Sequence, residues 1–292
     1  MTPANWHEHM VRVGPFAFLL RSPIRSVIDA VADLYRDYPA SAEDGIPDFT
    51  VAVAPPSFVR RWVRPKLELI CDIELPGMAP QPFEHGLLAL EMGMNLQLAA
   101  GMHRFLLLHA GAVERDGQTM LMTGDSGAGK STLSATLGWS GWRLLGDEFA
   151  LVDPATGLFH PHPRPVSLKN ESADILADIA PADRFGPIFH GTIKGSIRHL
   201  LPPPDAIARM DEPALPRIIL LPHFEARAAP EAHRLGVAET FAHLTQASTN
   251  YKALGERGFE ALVRLANVPA YAMRYGTSVD AIGMIEELWA HG

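Results

Sequence analysis

Cysteine is nearly absent from this chain. Cys71 is the single cysteine among 292 residues, which excludes an intramolecular disulfide and any zinc site built on cysteines. Its expected place is that of a small buried hydrophobe. No run of eighteen apolar residues occurs, so no membrane-spanning helix and no membrane partner are expected. The first residues, Met1 to His9, carry neither a basic stretch nor an apolar one, so no secretory signal is expected and the cytoplasm is the expected location. Dense runs of Lys and Arg are missing too. With a formal charge of −8, this argues against a nucleic-acid partner. Repeats and low-complexity segments are lacking. What is present is an ordinary globular composition, over a length that allows one large or two modest domains.

Residues 1–82 read as a small α+β region with weak chemical signals. Val11 to Arg21 has the pattern of a strand, and Ile24 to Tyr35 that of an amphipathic helix. Asp48 to Val53 and Lys66 to Asp72 suggest two further strands, separated by prolines at 55, 56 and 65. Arg60, Arg61 and Arg64 form a basic cluster that reads as solvated surface. The prolines at 80 and 82 mark a break. Residues 83–292 then read as a second region, entered through a Leu-, Ala- and Met-rich helix from Glu84 to Met102 whose apolar face is expected to be core. Glu91 and Asn95 share a face of that helix.

The strongest signal is Gly124-Asp-Ser-Gly-Ala-Gly-Lys130-Ser131-Thr132. Gly124, Gly129, Lys130 and Ser131 complete the phosphate-binding loop pattern. Glycines let successive backbone N–H groups turn inward around phosphate oxygens, and the helix that follows adds its unsatisfied amides and dipole. The expected ligand contacts run over Gly124, Asp125, Ser126, Gly127, Ala128, Gly129, Lys130, Ser131 and Thr132. Lys130 would reach the outer phosphates and the Ser131 hydroxyl would meet Mg²⁺, so ATP and Mg²⁺ are the expected cofactors. Context supports this: Gln118 to Thr123 reads as a strand and Ser131 to Trp139 as a helix. Upstream, Arg104 to Glu114 reads as one strongly apolar strand, and Arg115-Asp116-Gly117 is a hairpin turn signal.

A phosphate loop needs a partner that holds the metal or takes the acceptor's proton. Asp147 and Glu148 are the best candidates, because they follow the apolar strand Trp142 to Leu145. Neighbours on a strand point to opposite faces, so both reach one site only if the backbone bends, which Gly146 would permit. Arg164, Lys169, Lys194 and Arg198 lie in proline- or glycine-rich segments and are candidate contacts to phosphate or acceptor. His109, in an apolar strand, reads from the residues alone as a core histidine. His160, His162 and His190 show no metal-ligand spacing. The stretch from Pro181 to Pro204 reads as an irregular loop. Beyond it, Pro216 to Leu221 and Tyr271 to Tyr275 read as strands; Val237 to His243, Phe259 to Leu265 and Asp280 to Ala290 read as helices.

Leu106-Leu-Leu-His-Ala110, Gly124-Asp-Ser-Gly-Ala-Gly-Lys-Ser131 and Gly141-Trp-Arg-Leu-Leu-Gly-Asp-Glu148 together resemble the catalytic domain of HPr kinase/phosphorylase. The resemblance is closest to the HprK-related kinase A group. Glu91-Met-Gly-Met-Asn95, Pro163 to Asn170, Gly191 to Gly195 and Pro202 to Pro204 are similar to that group as well. The resemblance runs from about residue 83 to 204. It implies an α/β P-loop kinase domain of the HPr kinase and phosphoenolpyruvate carboxykinase type, a mixed sheet flanked by helices. It also implies ATP- and Mg-dependent phosphorylation of a serine hydroxyl on a peptide or small protein, a biosynthetic precursor peptide being one candidate. In that setting Asp147 would be the general base, His109 would orient the acidic group, and Glu148 would be a metal or network residue. Two departures stand out. The family's Glu-Ile-Arg-Gly signature is here Thr192-Ile193-Lys194-Gly195, and the N-terminal region matches no part of the longer HPr kinases. A small-molecule alcohol kinase and a non-catalytic nucleotide-binding module are the alternatives, and oligomeric state, a homo-oligomer included, is left open.

Overall fold

The computed structural model describes residues 5–40, 45–57, 59–74, 78–125 and 127–291. They divide into two units, at Met102 and His103.

In the first unit, β1 (His7–Val13) and β2 (Phe16–Ser22) form a hairpin. The single strand expected over Val11 to Arg21 is therefore two strands. Gly14, at φ 54°, opens the two-residue turn Gly14-Pro15 that the hairpin needs. The helix α1 (Arg25–Leu34) buries Val27, Ile28, Val31 and Leu34, the stripe its periodicity predicts. It crosses over to β3 (Phe49–Ala54), which runs parallel to β2. Next come β4 (Lys66–Cys71) and the short β5 (Gln81–Pro82), giving a sheet in sequence order. Cys71 lies at the end of β4 and is half-buried, not fully enclosed. The helix α2 (Gly86–Gly101) packs on β3 and β4. The boundary expected at 82 thus falls after α2, because the apolar surface of that helix is covered by the first sheet. Glu91 is buried there and accepts a hydrogen bond of 2.7 Å from the Tyr35 hydroxyl. Gln97 closes both ends of a backbone gap, bonding the N–H and C=O of Ile73.

The second unit begins with β6 (Leu106–Leu108) and β7 (Gly111–Arg115). These replace the one continuous strand expected from Arg104 to Glu114. The chain changes sheets at His109-Ala110, since β6 pairs with β10 while β7 pairs with β8. β7 and β8 (Gln118–Met122) are joined through Asp116 and Gly117, at φ 53° and 76°. Two successive positive φ values are what a type I′ hairpin turn requires, and the Asp-Gly pair supplies them. There follow α3 (Lys130–Trp139), β9 (Arg143–Gly146), β10 (Ala150–Val152), β11 (Phe159–His160), β12 (Val166–Lys169) and α4 (Ser172–Ala177). The segment expected to be irregular is a hairpin of β13 (Phe185–Thr192) and β14 (Gly195–Leu200), which carries β12 alongside. Its register shifts near Gly186-Pro187 and Gly191 hide the two-residue alternation that marks a strand.

The chain continues through α5 (Pro204–Ala208), β15 (Leu215–Phe224), β16 (Glu231–Arg234), α6 (Val237–Ala247), α7 (Tyr251–Leu254), α8 (Glu256–Ala266), β17 (Ala270–Tyr275) and α9 (Ser278–His291). The main sheet has the order β16-β17-β15-β8-β7-β9. Its centre is parallel, β17 with β15 and β15 with β8, and its flanks are antiparallel. Alternate residues of β8 feed two cores. Met120 and Met122 pack with Leu133, Leu137, Ile285 and Trp289 on one face, while Leu121 packs with Leu244, Leu262 and Leu265 on the other. This is a mixed α/β unit with helices on both faces of the sheet. Among the described residues no helix is long and apolar enough to cross a membrane.

Candidate active site

Because β8, β15 and β17 run parallel, their C-terminal ends open on one edge of the sheet, where ligands of open α/β sheets gather. The glycine-rich loop leaves β8 at that edge and ends as the N-terminus of α3. Gly129 is left-handed, at φ 94°, and its carbonyl accepts the first helical hydrogen bond from Leu133 N–H at 2.9 Å. A Cβ at Gly129 would lie 2.7 Å from the Tyr275 hydroxyl, so both conformation and space require glycine there. Lys130 is buried in the loop. Its Nζ donates to the carbonyls of Gly124 at 2.7 Å and Asp125 at 2.8 Å. Burial pulls its pKa down and Lys169 adds to that effect, while Asp147, Glu148 and Asp125 oppose it. Ser126 lies outside the described residues; Gly127 and Ala128 continue the turn.

The acidic pair sits just past β9. Gly146 ends that strand at a sharp turn, with the Phe149 carbonyl 2.7 Å from where a Cβ would stand. This is the bend that the pair needed. The two carboxylates repel each other electrostatically, and both act on Lys130. Asp147 Oδ1 is buried without a hydrogen-bond partner. Burial pushes this carboxyl up to about 7, and Glu148 pushes the same way. A hydrogen bond from the Ser131 side chain and the charges of Lys169 and Lys130 oppose the rise. A carboxyl with that balance binds a proton or a cation readily near neutral pH.

His109 belongs to the bend between β6 and β7, with its N–H bound to the Ala247 carbonyl at 2.8 Å. It is 44% exposed, not a core residue, and its Nδ1 is 3.8 Å from Glu148 Oε1. The switch between sheets puts it there. Thr132 points its hydroxyl to Ser172 at 3.0 Å, tying α3 to the start of α4.

The four candidate cations separate. Lys169, at the end of β12, is close enough to act on both Asp147 and Lys130. Arg164 is buried in the segment 161–165, which bonds to the end of β9 through His162 N–H and the Leu145 carbonyl. Lys194 is exposed at the tip of the β13–β14 hairpin, beside the fully exposed Ile193. Arg198 is committed within that hairpin: its Nε donates to the Gly186 carbonyl at 2.9 Å and its guanidinium lies 4.7 Å from the centre of the Phe185 ring. Tyr275 and Phe224, which crowd the loop at Gly129, carried no motif in the sequence. They reach it only because β15 and β17 run beside β8.

Ser131, Asp147 and Glu148 offer oxygen donors, which a hard cation prefers. Mg²⁺ is commonly held by one or two carboxylates together with substrate phosphates. The orphaned Asp147 Oδ1, the Ser131 hydroxyl and the Glu148 carboxylate fit that role. Among the described residues no group of three or more His, Cys, Asp and Glu is arranged to hold a metal by itself.

The fold and site therefore define a mixed α/β protein with a strand, glycine loop and helix facing a bent acidic pair. Residues 78–174 are similar to the family described as SynChlorMet cassette protein ScmC. That stretch holds His109, the loop and the acidic pair, and covers about a third of the chain. Comparison with curated proteins returns no match.

Proposed function

We propose that this chain is an ATP- and Mg-dependent kinase that phosphorylates a hydroxyl on a peptide or small protein, with a catalytic domain of the HPr kinase and phosphoenolpyruvate carboxykinase type. The carrying observation is the half-buried Asp147: its Oδ1 is enclosed and unpartnered, its pKa is raised to about 7, and its carboxyl stands against Ser131 and Lys130 of the loop. Phosphoryl transfer asks the protein mainly for positioning and charge neutralisation. The loop amides and Lys130 hold the triphosphate. Ser131 and Glu148 would hold Mg²⁺, which when bound would supply charge neutralisation on the phosphates. Asp147 takes the proton of the acceptor hydroxyl as that oxygen bonds to the terminal phosphorus and the bond to the leaving diphosphate breaks. His109, 3.8 Å from Glu148, keeps the acidic group oriented, and Lys169 draws the negative charge of the transferring group. The cytoplasm, which supplies ATP and Mg²⁺, is the proposed location.

The test is incubation with γ-labelled ATP, Mg²⁺ and a cell extract. A labelled peptide or protein supports the reading, a labelled metabolite shifts it to a small-molecule kinase, and tight ATP binding without transfer favours a regulatory module. Lys130→Ala should abolish transfer and weaken Mg-ATP binding strongly. Asp147→Asn should keep ATP binding and lose transfer; normal turnover in that variant sinks the assignment of the base.

A further inference from the structure

Phe224 is the last residue of β15, the strand next to β8 on the side away from the acidic pair. It is 47% exposed. Isolated exposed hydrophobes are common and mean nothing by themselves. The placement of this one is specific. Its N–H donates to the Ala128 carbonyl at 3.3 Å, and its Cβ would lie 3.4 Å from a Cβ on Gly129, so it is fixed to the glycine loop itself. The Tyr275 ring, buried at the end of β17, supports it from 5.8 Å at a tilt of 58°. Glu225 N–H bonds to the Tyr275 carbonyl at 3.0 Å, which locks the two strand ends together. Arg274, beside Tyr275 on β17, is paired with Glu225 and Glu231.

The sheet order gives this aromatic a direction. From β8 outward, β15 with Phe224 lies on one flank, and β7 then β9 with Asp147 lie on the other. A nucleoside triphosphate is likewise polar: the transferred phosphoryl is at one end and the base at the other. With the transfer end at the acidic pair, the base falls on the β15 flank. We propose that Phe224 is the stacking platform for the nucleobase of the triphosphate held by the glycine loop, with Tyr275 as its rigid backing. This rests on the kinase reading to the extent that the loop must hold a triphosphate. An aromatic face is tolerant of base identity, so the platform supplies affinity for a nucleoside over bare phosphate without choosing adenine or guanine.

The probes are Mg-ATP and magnesium tripolyphosphate, titrated by calorimetry into the full chain, with Phe224→Ala and Phe224→Trp as variants. Wild type should bind ATP more tightly than tripolyphosphate. Phe224→Ala should weaken ATP by about tenfold or more, the usual cost of losing a stacked base. It should leave tripolyphosphate within about twofold, and Phe224→Trp should restore ATP. Unchanged tripolyphosphate binding also shows that the variant is folded. Equal affinity of wild type for the two ligands, undiminished ATP binding by Phe224→Ala, or equal loss of both ligands without rescue by Trp overturns the platform and leaves the loop reading standing. A wild-type protein that binds neither ligand overturns the loop reading and the platform together.

Discussion

Replacing Asp147 with Asn should stabilise the metal-free protein, and increasingly so as pH rises. In the fold its pKa is raised from the ordinary 3.8 to about 7, chiefly by burial and then by Glu148. A group raised in the folded state favours folding in its protonated form. That contribution is full below the unfolded value and is lost as pH rises through the folded one. Linkage makes the wild-type penalty grow by about 2–3 kcal/mol between about pH 5 and about pH 8. Partial solvent access to the side chain trims this, leaving about 2 kcal/mol as the expected pH-dependent difference. Other groups titrate over this range as well, so the quantity to measure is wild type against variant at each pH. Urea unfolding in EDTA, followed by tryptophan fluorescence, gives it. Trp139, Trp142 and Trp289 report on the second unit, and Trp6 and Trp62 on the first. A difference that stays flat to within about 0.5 kcal/mol, or grows in the opposite direction, would refute the burial argument for this carboxyl.

Two further outcomes are expected. Gly129→Ala places a Cβ 2.7 Å from the Tyr275 hydroxyl at φ 94°. It should weaken Mg-ATP binding by about tenfold or more, as strain of about 1–3 kcal/mol enters the loop. Adding Tyr275→Phe should recover only part of the loss, since the backbone strain persists; wild-type affinity in the single variant would contradict the loop geometry. Glu114 is 2% exposed and bonds Arg143, whose guanidinium also donates to the carbonyls of Arg209 and Glu212. Glu114→Ala leaves a buried cation unpaired and should cost about 3–5 kcal/mol in urea unfolding. A loss below about 1 kcal/mol would mean that Arg143 finds another partner.

What the sequence determined by itself is local. The glycine loop, the strand before it and the helix after it follow from residue types at short spacing, as does the Asp116-Gly117 turn. The amphipathic stripe of α1 also appears as its period requires. Gly146 marks in the sequence where a bend at the acidic pair is permitted, and the fold places the Phe149 carbonyl 2.7 Å from where its Cβ would stand. Tertiary structure alone decided what depends on distant pairing. The apolar run before His109 carries no signal that its two halves pair with β10 and β8 in different sheets, and that division exposes the histidine. α2 could have covered either sheet by its composition, and packing assigned it to the first. Of four similar cations, packing put Lys169 beside the acidic pair and turned Arg198 into a strut of its own hairpin. The same holds for the glycine loop. Its phosphate-binding pattern lies in eight consecutive residues, Gly124 to Ser131, yet the aromatic beside it comes from a strand almost a hundred residues later, brought there by parallel pairing that no local period encodes.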